Sequence, residues 1–273
     1  MNSRGRIFVG WLIILSCVPT PALAAKLQPD TLNAWLEYKR LTEERIEREL
    51  ASTEGFLIFD FLLESDRVAI RSALDSSDTF IKKLETRNEE GGDIKIPKGL
   101  VHHWYGIVLV RDAELQDVLR RVQDYDNHAS YFEEVEDSRL VSHQGDEYEI
   151  FLRLRRKKVI TVHYNTEHHV TYHRRAPGEV TSRSESTRIA ELDNPGTTHE
   201  REKPLENDRG FMWRLNSYWR FQQVPEGVIV ECESISLSRK VPIAFRWVVK
   251  PFINSVPRES LESTLRPLQD AIN

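Results

Sequence analysis

From residue 99 onward, apolar and polar positions alternate over long stretches. Before it, apolar positions recur nearer to helical spacing. Leu32, Trp35, Leu36, Ile46 and Leu50 follow Asp30, which predicts a capped amphipathic helix with a charged outer face. Phe56 to Leu63 reads as a short buried strand. The rest of the stretch to residue 98 is mixed, with a loop at Glu89-Glu90-Gly91-Gly92. Leu100 to Val110 then predicts a strand. Asp112 is expected to cap a helix reaching about Gln123, and Tyr125–Phe132 a short helix or turn. Six strands follow, at about 135–143, 147–156, 159–174, 179–191, 211–223 and 228–238. Gly145-Asp146, Pro177-Gly178 and Glu226-Gly227 punctuate them. Pro257 suits the first turn of a closing helix in which Leu261, Leu265 and Leu268 keep helical spacing. Pro251 and Pro267 are expected to break or kink that region. This order predicts an α+β domain, a seven-stranded antiparallel sheet wrapped around one long C-terminal helix, with an N-terminal helical extension.

The opening residues follow another pattern. Arg4 and Arg6 are the only charges there, Ile7 to Val18 is almost wholly apolar, and Ala22-Leu23-Ala24 ends the stretch. A basic start, a short apolar run and an A-x-A site predict a signal peptide at 1–24, cleaved before Ala25. The run falls short of the roughly 20 residues a spanning helix needs. The expected location is periplasmic or extracellular. Ile14-Leu15-Ser16-Cys17 resembles a lipobox and keeps a lipoprotein anchored through Cys17 as the alternative, although Leu15 is not the usual small residue there. Residues 25–98 then form an extension and 99–273 the main domain. Losing Arg4 and Arg6 with the leader takes the formal net charge from -5 to -7. That balance argues against nucleic acid as a partner and against an anionic membrane surface, since both call for basic patches. Cys232 is the cysteine left after cleavage, so no intramolecular disulfide can form and the core must hold the fold.

Common catalytic motifs are missing: no H-E-x-x-H, paired C-x-x-C, G-x-S-x-G or P-loop occurs. Asp124-Tyr125-Asp126 opens like a calcium loop, but Ala129 and Val135 occupy the places of its glycine and closing glutamate. His163, His168, His169 and His173 cluster along one strand. Ligands strung along a strand rarely converge on one point, so satisfied strand histidines are the preferred reading and no metal or cofactor is assigned. A two-residue turn at Pro177-Gly178 would set Ala176 opposite Glu179, Thr171 opposite Ser184, His169 opposite Ser186 and Glu167 opposite Arg188. The side carrying Asn165, Glu167, His169, Ser182 and Arg188 is expected inward, with the Glu167–Arg188 pair anchoring the polar end of a ligand. The competing reading puts that pair on a solvated face, because one residue of slip reverses every side chain. In the next hairpin Trp213, Leu215, Trp219 and Phe221 share a face that Val228, Val230 and Cys232 should join. Arg220 should meet Glu231 on the outside. Most of these aromatics read as core, while Trp213, Trp219 and Phe221 are candidates to line a pocket. Asp193–Arg209 is a charged, proline-bearing loop of the length expected of a lid.

The order from Gly99 to Asn273 resembles the helix-grip fold of START-type lipid-transfer domains and the polyketide cyclase/dehydrase-like superfamily. The residues that carry the resemblance are the strand-to-helix passage Trp104 to Leu119 and the segment Asp124-Tyr125-Asp126-Asn127. The last strand, running through Leu237-Ser238-Arg239 into Val241-Pro242 and a helix bearing Trp247, adds to it. The resemblance implies a deep cavity between sheet and C-terminal helix, used for hydrophobic or amphipathic ligands. Residues 26–98 lie outside it. Three function classes follow: a non-catalytic binder or carrier of such a small molecule, which is favoured; a cavity enzyme of cyclase or hydrolase type with Glu167 and His169 as acid and base; and a structural envelope protein with a packed core. A paired Glu167 would stay ionised and suit proton donation poorly. Transient membrane contact and oligomeric state stay open.

Overall fold

The computed structural model of the chain describes residues 25–157, 161–240 and 246–270. The signal peptide predicted at 1–24 lies outside the described residues. The N-terminal extension holds β1 (Ala25–Lys26), α1 (Pro29–Leu50), α2 (Glu64–Asp75) and β2 (Phe80–Lys83). The main body continues with β3 (Gly99–Arg111), α3 (Leu115–Gln123), α4 (His128–Tyr131), β4 (Val135–Gln144), β5 (Glu147–Lys157), β6 (Thr161–Ala176) and β7 (Glu179–Asp193). It closes with β8 (Arg201–Glu202), β9 (Asn207–Asp208), β10 (Arg214–Val224), β11 (Gly227–Arg239) and α5 (Arg246–Asp270). The seven expected strands are the long ones, joined antiparallel in the order β3-β11-β10-β7-β6-β5-β4. Two short additions complete a nine-stranded sheet: β2 pairs with the edge of β3, and β8 pairs with β7. With α5 lying on one face, this is the helix-grip arrangement of an α+β fold.

That inner face is closed at one end by apolar packing. Val108, Val110, Val228, Val230, Cys232 and Phe221 pack with Leu261, Leu265 and Leu268 of α5. Gly106 makes the close approach possible: a Cβ there would stand 2.5 Å from Leu265 Cδ1. The helix runs unbroken through Pro251, Pro257 and Pro267, against the expected break. Each proline removes a backbone donor, but burying Leu261, Leu265 and Leu268 is worth about 1.5–3 kcal/mol apiece and offsets that loss.

The outer face holds the main departure from expectation. Arg220 does stand opposite Glu231. They are not in water, however: Arg220 is 2% exposed and Glu231 0%, because the extension covers them. Trp35, Tyr38 and Ile46 of α1 pack there with Tyr218, Ile235 and Leu237. The buried charges on this face are engaged, although Glu233 Oε2 has no hydrogen-bond partner among the described residues. Arg220 bonds to Glu49 and to the Phe56 carbonyl at 2.8 Å. Glu231 accepts the N–H groups of Ile58 at 2.6 Å and Phe59 at 2.9 Å, and the Tyr105 hydroxyl. Glu233 accepts from Arg45 and lies 2.6 Å from His103 Nε2, whose Nδ1 is 2.8 Å from the Tyr38 hydroxyl. Burial pushes the Glu231 carboxyl up to about 7 against the pull of Arg220. Burial also works against charge on Glu233, but Arg45 and His103 outweigh it and hold that carboxyl at about 2.

Two local readings change as well. Phe56–Leu63 is not a strand. Ile58–Phe61 form a single 3-10 turn, entered through Phe56 N–H and Leu57 N–H, which both donate to Asp60 at 2.9 Å. A short apolar run does not by itself distinguish strand from buried turn. Helix α3 begins at Leu115 behind Glu114, not at Asp112, whose positive φ of 53° makes it a turn residue.

Candidate functional site

The β6–β7 hairpin decides which side chains point inward. Its turn is as predicted, with Ala176 opposite Glu179 and Gly178 at a φ of +83°. A bulge between Arg174 and Ala176 then slips the register by one. His169 therefore meets Glu185, and Thr171 meets Arg183. A second bulge between Glu167 and His168 restores the expected pairing of Glu167 with Arg188. The inward residues of β6 are Thr166, His168, Val170 and Tyr172, and those of β7 include Ser182, Ser184 and Ser186. The serines point inward as expected. Asn165, Glu167, His169 and Arg188 do not; they lie on the outer side.

Their contacts match that placement. The Glu167 and Arg188 side chains are 49% and 28% exposed and approach no closer than 3.7 Å, and Arg188 binds Glu202 instead. Asn165 donates to Glu202 at 2.9 Å, and His169 Nδ1 lies 2.6 Å from Glu149. The 193–209 segment is tied down from the same side. Its Glu200 takes Arg153 at 2.8 and 2.7 Å, and its Glu202 takes Arg188. Trp213 precedes β10 and packs with Leu27 and Trp35 on the outer face, so it is separated from Trp219 and Phe221. Those two do share the inner face, with rings parallel and 6.0 Å apart. Among the described residues no group of three or more His, Cys, Asp or Glu side chains converges as a metal site. His163 lies 2.7 Å from Glu136.

What the fold brings together is a floor on the inner face, which begins level with Gly106 at Trp219 and runs away from the closed end. Leu215, Ser217, Trp219, Ser234 and Ser236 are only half-buried, although they lie mid-sheet. Their outward-facing neighbours Asn216, Tyr218 and Ile235 are buried. Trp104 stands opposite Ser234, and His102 opposite Ser236. The Trp219 indole donates to Ser217 at 3.1 Å. His102 Nε2 lies 3.0 Å from Ser238 Oγ, and His168 Nε2 lies 3.0 Å from Thr166 Oγ1. Burial pushes both imidazoles down to about 4, so they are neutral at physiological pH. Small hydroxyls beside two indoles and two neutral imidazoles make a wettable floor, uncharged on its central strands and bordered by Lys83 at the β2 edge. Such a surface can hold an apolar body and hydrogen-bond a polar end. It offers no ionised acid or base on its central strands. Sequence reasoning found Trp219, Phe221 and the serines of β7 but missed Trp104, His102 and His168. The serines at 234, 236 and 238, in every second place of β11, were the available signal.

No family model matches this sequence. No curated protein matches it either. Solved structures with the same arrangement include a STAR-related lipid transfer protein from Xanthomonas axonopodis, 18% identical over 70% of this chain and 97% of that one, with a TM-score of 0.46. Human STARD10 is 8% identical over 81% of this chain and 84% of its own, with a TM-score of 0.43. The Zhui aromatase/cyclase from Streptomyces sp. R1128 is 10% identical over 63% and 93%, with a TM-score of 0.41. The structural neighbours of the chain are thus START-domain proteins and polyketide aromatase/cyclases.

Proposed function

We propose that this chain is an exported, non-catalytic binder or carrier of a hydrophobic or amphipathic molecule, held between the sheet and the C-terminal helix. The observation that carries this reading is the half-buried stretch at Leu215, Ser217, Trp219, Ser234 and Ser236, on strands whose opposite face is sealed. A packed structural domain would fill that stretch with large side chains, because interiors are close-packed. The neutral floor also speaks against the acid–base enzyme, since Glu167 and His169 lie on the other side of the sheet. Export rests on Arg4, Arg6, the apolar run behind them and Ala22-Leu23-Ala24, with anchoring through Cys17 as the alternative. The intact mass of the mature protein distinguishes a start at Ala25 from an acylated Cys17. Native mass spectrometry of protein purified from its own host should show a bound lipid-like molecule. Displacement of a fluorescent fatty acid should be saturable and weaker in Trp219→Ala. A broad lipid panel that fails to bind the folded wild-type protein would sink the reading.

A further inference from the structure

One buried donor on the inner face stands out. Trp104 is 8% exposed, and its indole Nε1–H has no hydrogen-bond partner among the described residues. A buried donor without an acceptor is costly, and native cores leave few of them. The nearby Trp219 shows the ordinary solution, since its N–H is taken by Ser217. Trp104 also sits at a boundary. Two residues along β3, Gly106 lets α5 close onto the sheet, while its cross-strand partner Ser234 belongs to the half-buried stretch. The polar groups near it are hydroxyls, the imidazole of His102 and, opposite it on β2, the half-exposed Lys83. Inward-facing ions lie further out and are already engaged, Glu191 with Arg209 and Lys203, and Arg156 with Glu134. A carboxylate or phosphate placed at the centre of this floor would lose its hydration, and Lys83, the described cation at its β2 edge, is already engaged by Glu85 at 3.6 Å.

Resting on the binding reading above, we propose that the inner face takes an uncharged amphipathic molecule whose polar end gives a hydrogen-bond acceptor to Trp104 Nε1. An ester, ketone or alcohol oxygen on an apolar body has this chemistry. The hydroxyls of Ser234 and Ser236 can donate or accept, so they complement the same end of such a molecule.

The test offers the purified protein three matched probes from cyclodextrin: methyl hexadecanoate, hexadecanoic acid and hexadecane. Binding is followed at about pH 8, where the acid is ionised, and the indole N–H resonances are followed by NMR. The ester is expected to bind roughly tenfold tighter than the acid and to shift the Trp104 indole resonance, which hexadecane leaves in place. Trp104→Phe should weaken ester binding roughly five- to tenfold, the loss of one hydrogen bond, with hexadecane binding unchanged. If that variant does not fold, the wild-type resonance decides alone. Equal or tighter binding of the acid, or ester binding with a stationary indole resonance, overturns the inference and leaves the binding reading intact. Failure of all three probes to bind folded protein overturns both.

Discussion

Replacing Arg220 by methionine probes the sealed outer face directly. The guanidinium is 2% exposed and serves Glu49, the Phe56 carbonyl and the field at Glu231. Removing one member of a buried ion group costs about 3–5 kcal/mol, because the charges left behind stay out of water. The low end applies here. Glu49 keeps Arg45, and Glu231 keeps two backbone donors and the Tyr105 hydroxyl. We expect a loss of about 3 kcal/mol, measured by chemical denaturation followed by tryptophan fluorescence and circular dichroism. The loss should also depend on pH. Glu231 titrates at about 7 in the folded chain, above its unfolded value. Such a group contributes stability that is full below the unfolded pKa and is lost as pH rises through the folded one. Arg220 is what holds that carboxyl down, so its removal raises the pKa further, and each added unit costs about 1.4 kcal/mol at high pH. The penalty should therefore be larger above pH 8 than near pH 5. A penalty below about 1 kcal/mol and equal at both pH values would mean that this face is wet, as at a surface pair.

Three further outcomes are expected. Glu167→Gln should cost less than about 1 kcal/mol, since the pair with Arg188 is solvent-exposed; a loss above about 3 kcal/mol would return that pair to the interior. Gly106→Ala should lower stability by about 1–3 kcal/mol through contact with the Leu265 side chain, and an unchanged denaturation midpoint would show that α5 does not press there. Glu233, held at about 2, gives stability that is present above its unfolded pKa and lost as pH falls toward 2. Glu233→Gln should therefore flatten the acid limb of the stability curve, and an unaltered limb would refute the Arg45–Glu233–His103 arrangement.

Much of the architecture is legible in the sequence because long strands carry their own punctuation. The turns at Gly145-Asp146, Pro177-Gly178 and Glu226-Gly227 fix three hairpins, and the pairings of Trp219 with Cys232 and Phe221 with Val230 follow from the last of them. The β6–β7 face was less legible. No residue pattern announces the bulges at Arg174–Ala176 and Glu167–His168, and the one-residue slip between them pairs Ser182, Ser184 and Ser186 with Tyr172, Val170 and His168, on the face opposite Glu167, His169 and Arg188. The outer face was unreadable for a different reason. Arg220, Glu231 and Glu233 alternate with apolar residues as a solvated face would, and only the extension folding back over them makes them core. Trp213 was misplaced because strand periodicity was extended one residue past the start of β10.

The two faces of the sheet differ in how they can move, and that bears on how a ligand would enter. Helix α1 is fastened by charge. Arg45 holds Glu233, Glu49 holds Arg220, Glu43 accepts the Tyr218 hydroxyl at 2.8 Å, and Lys39 reaches Glu185 at 2.6 Å. Lifting it would leave charges on both surfaces to be rehydrated together, and partial separation would be worst, with charges unpaired but not yet wet. Helix α5 is fastened over Gly106 by Leu261, Leu265 and Leu268, through contacts that weaken gradually and leave no ion behind. Beyond Gly106 the central strands carry half-buried serines at 217, 234 and 236. The path of least cost to the floor at Trp104 and Trp219 therefore lies on the α5 side, with the charged outer layer keeping the sheet rigid beneath it.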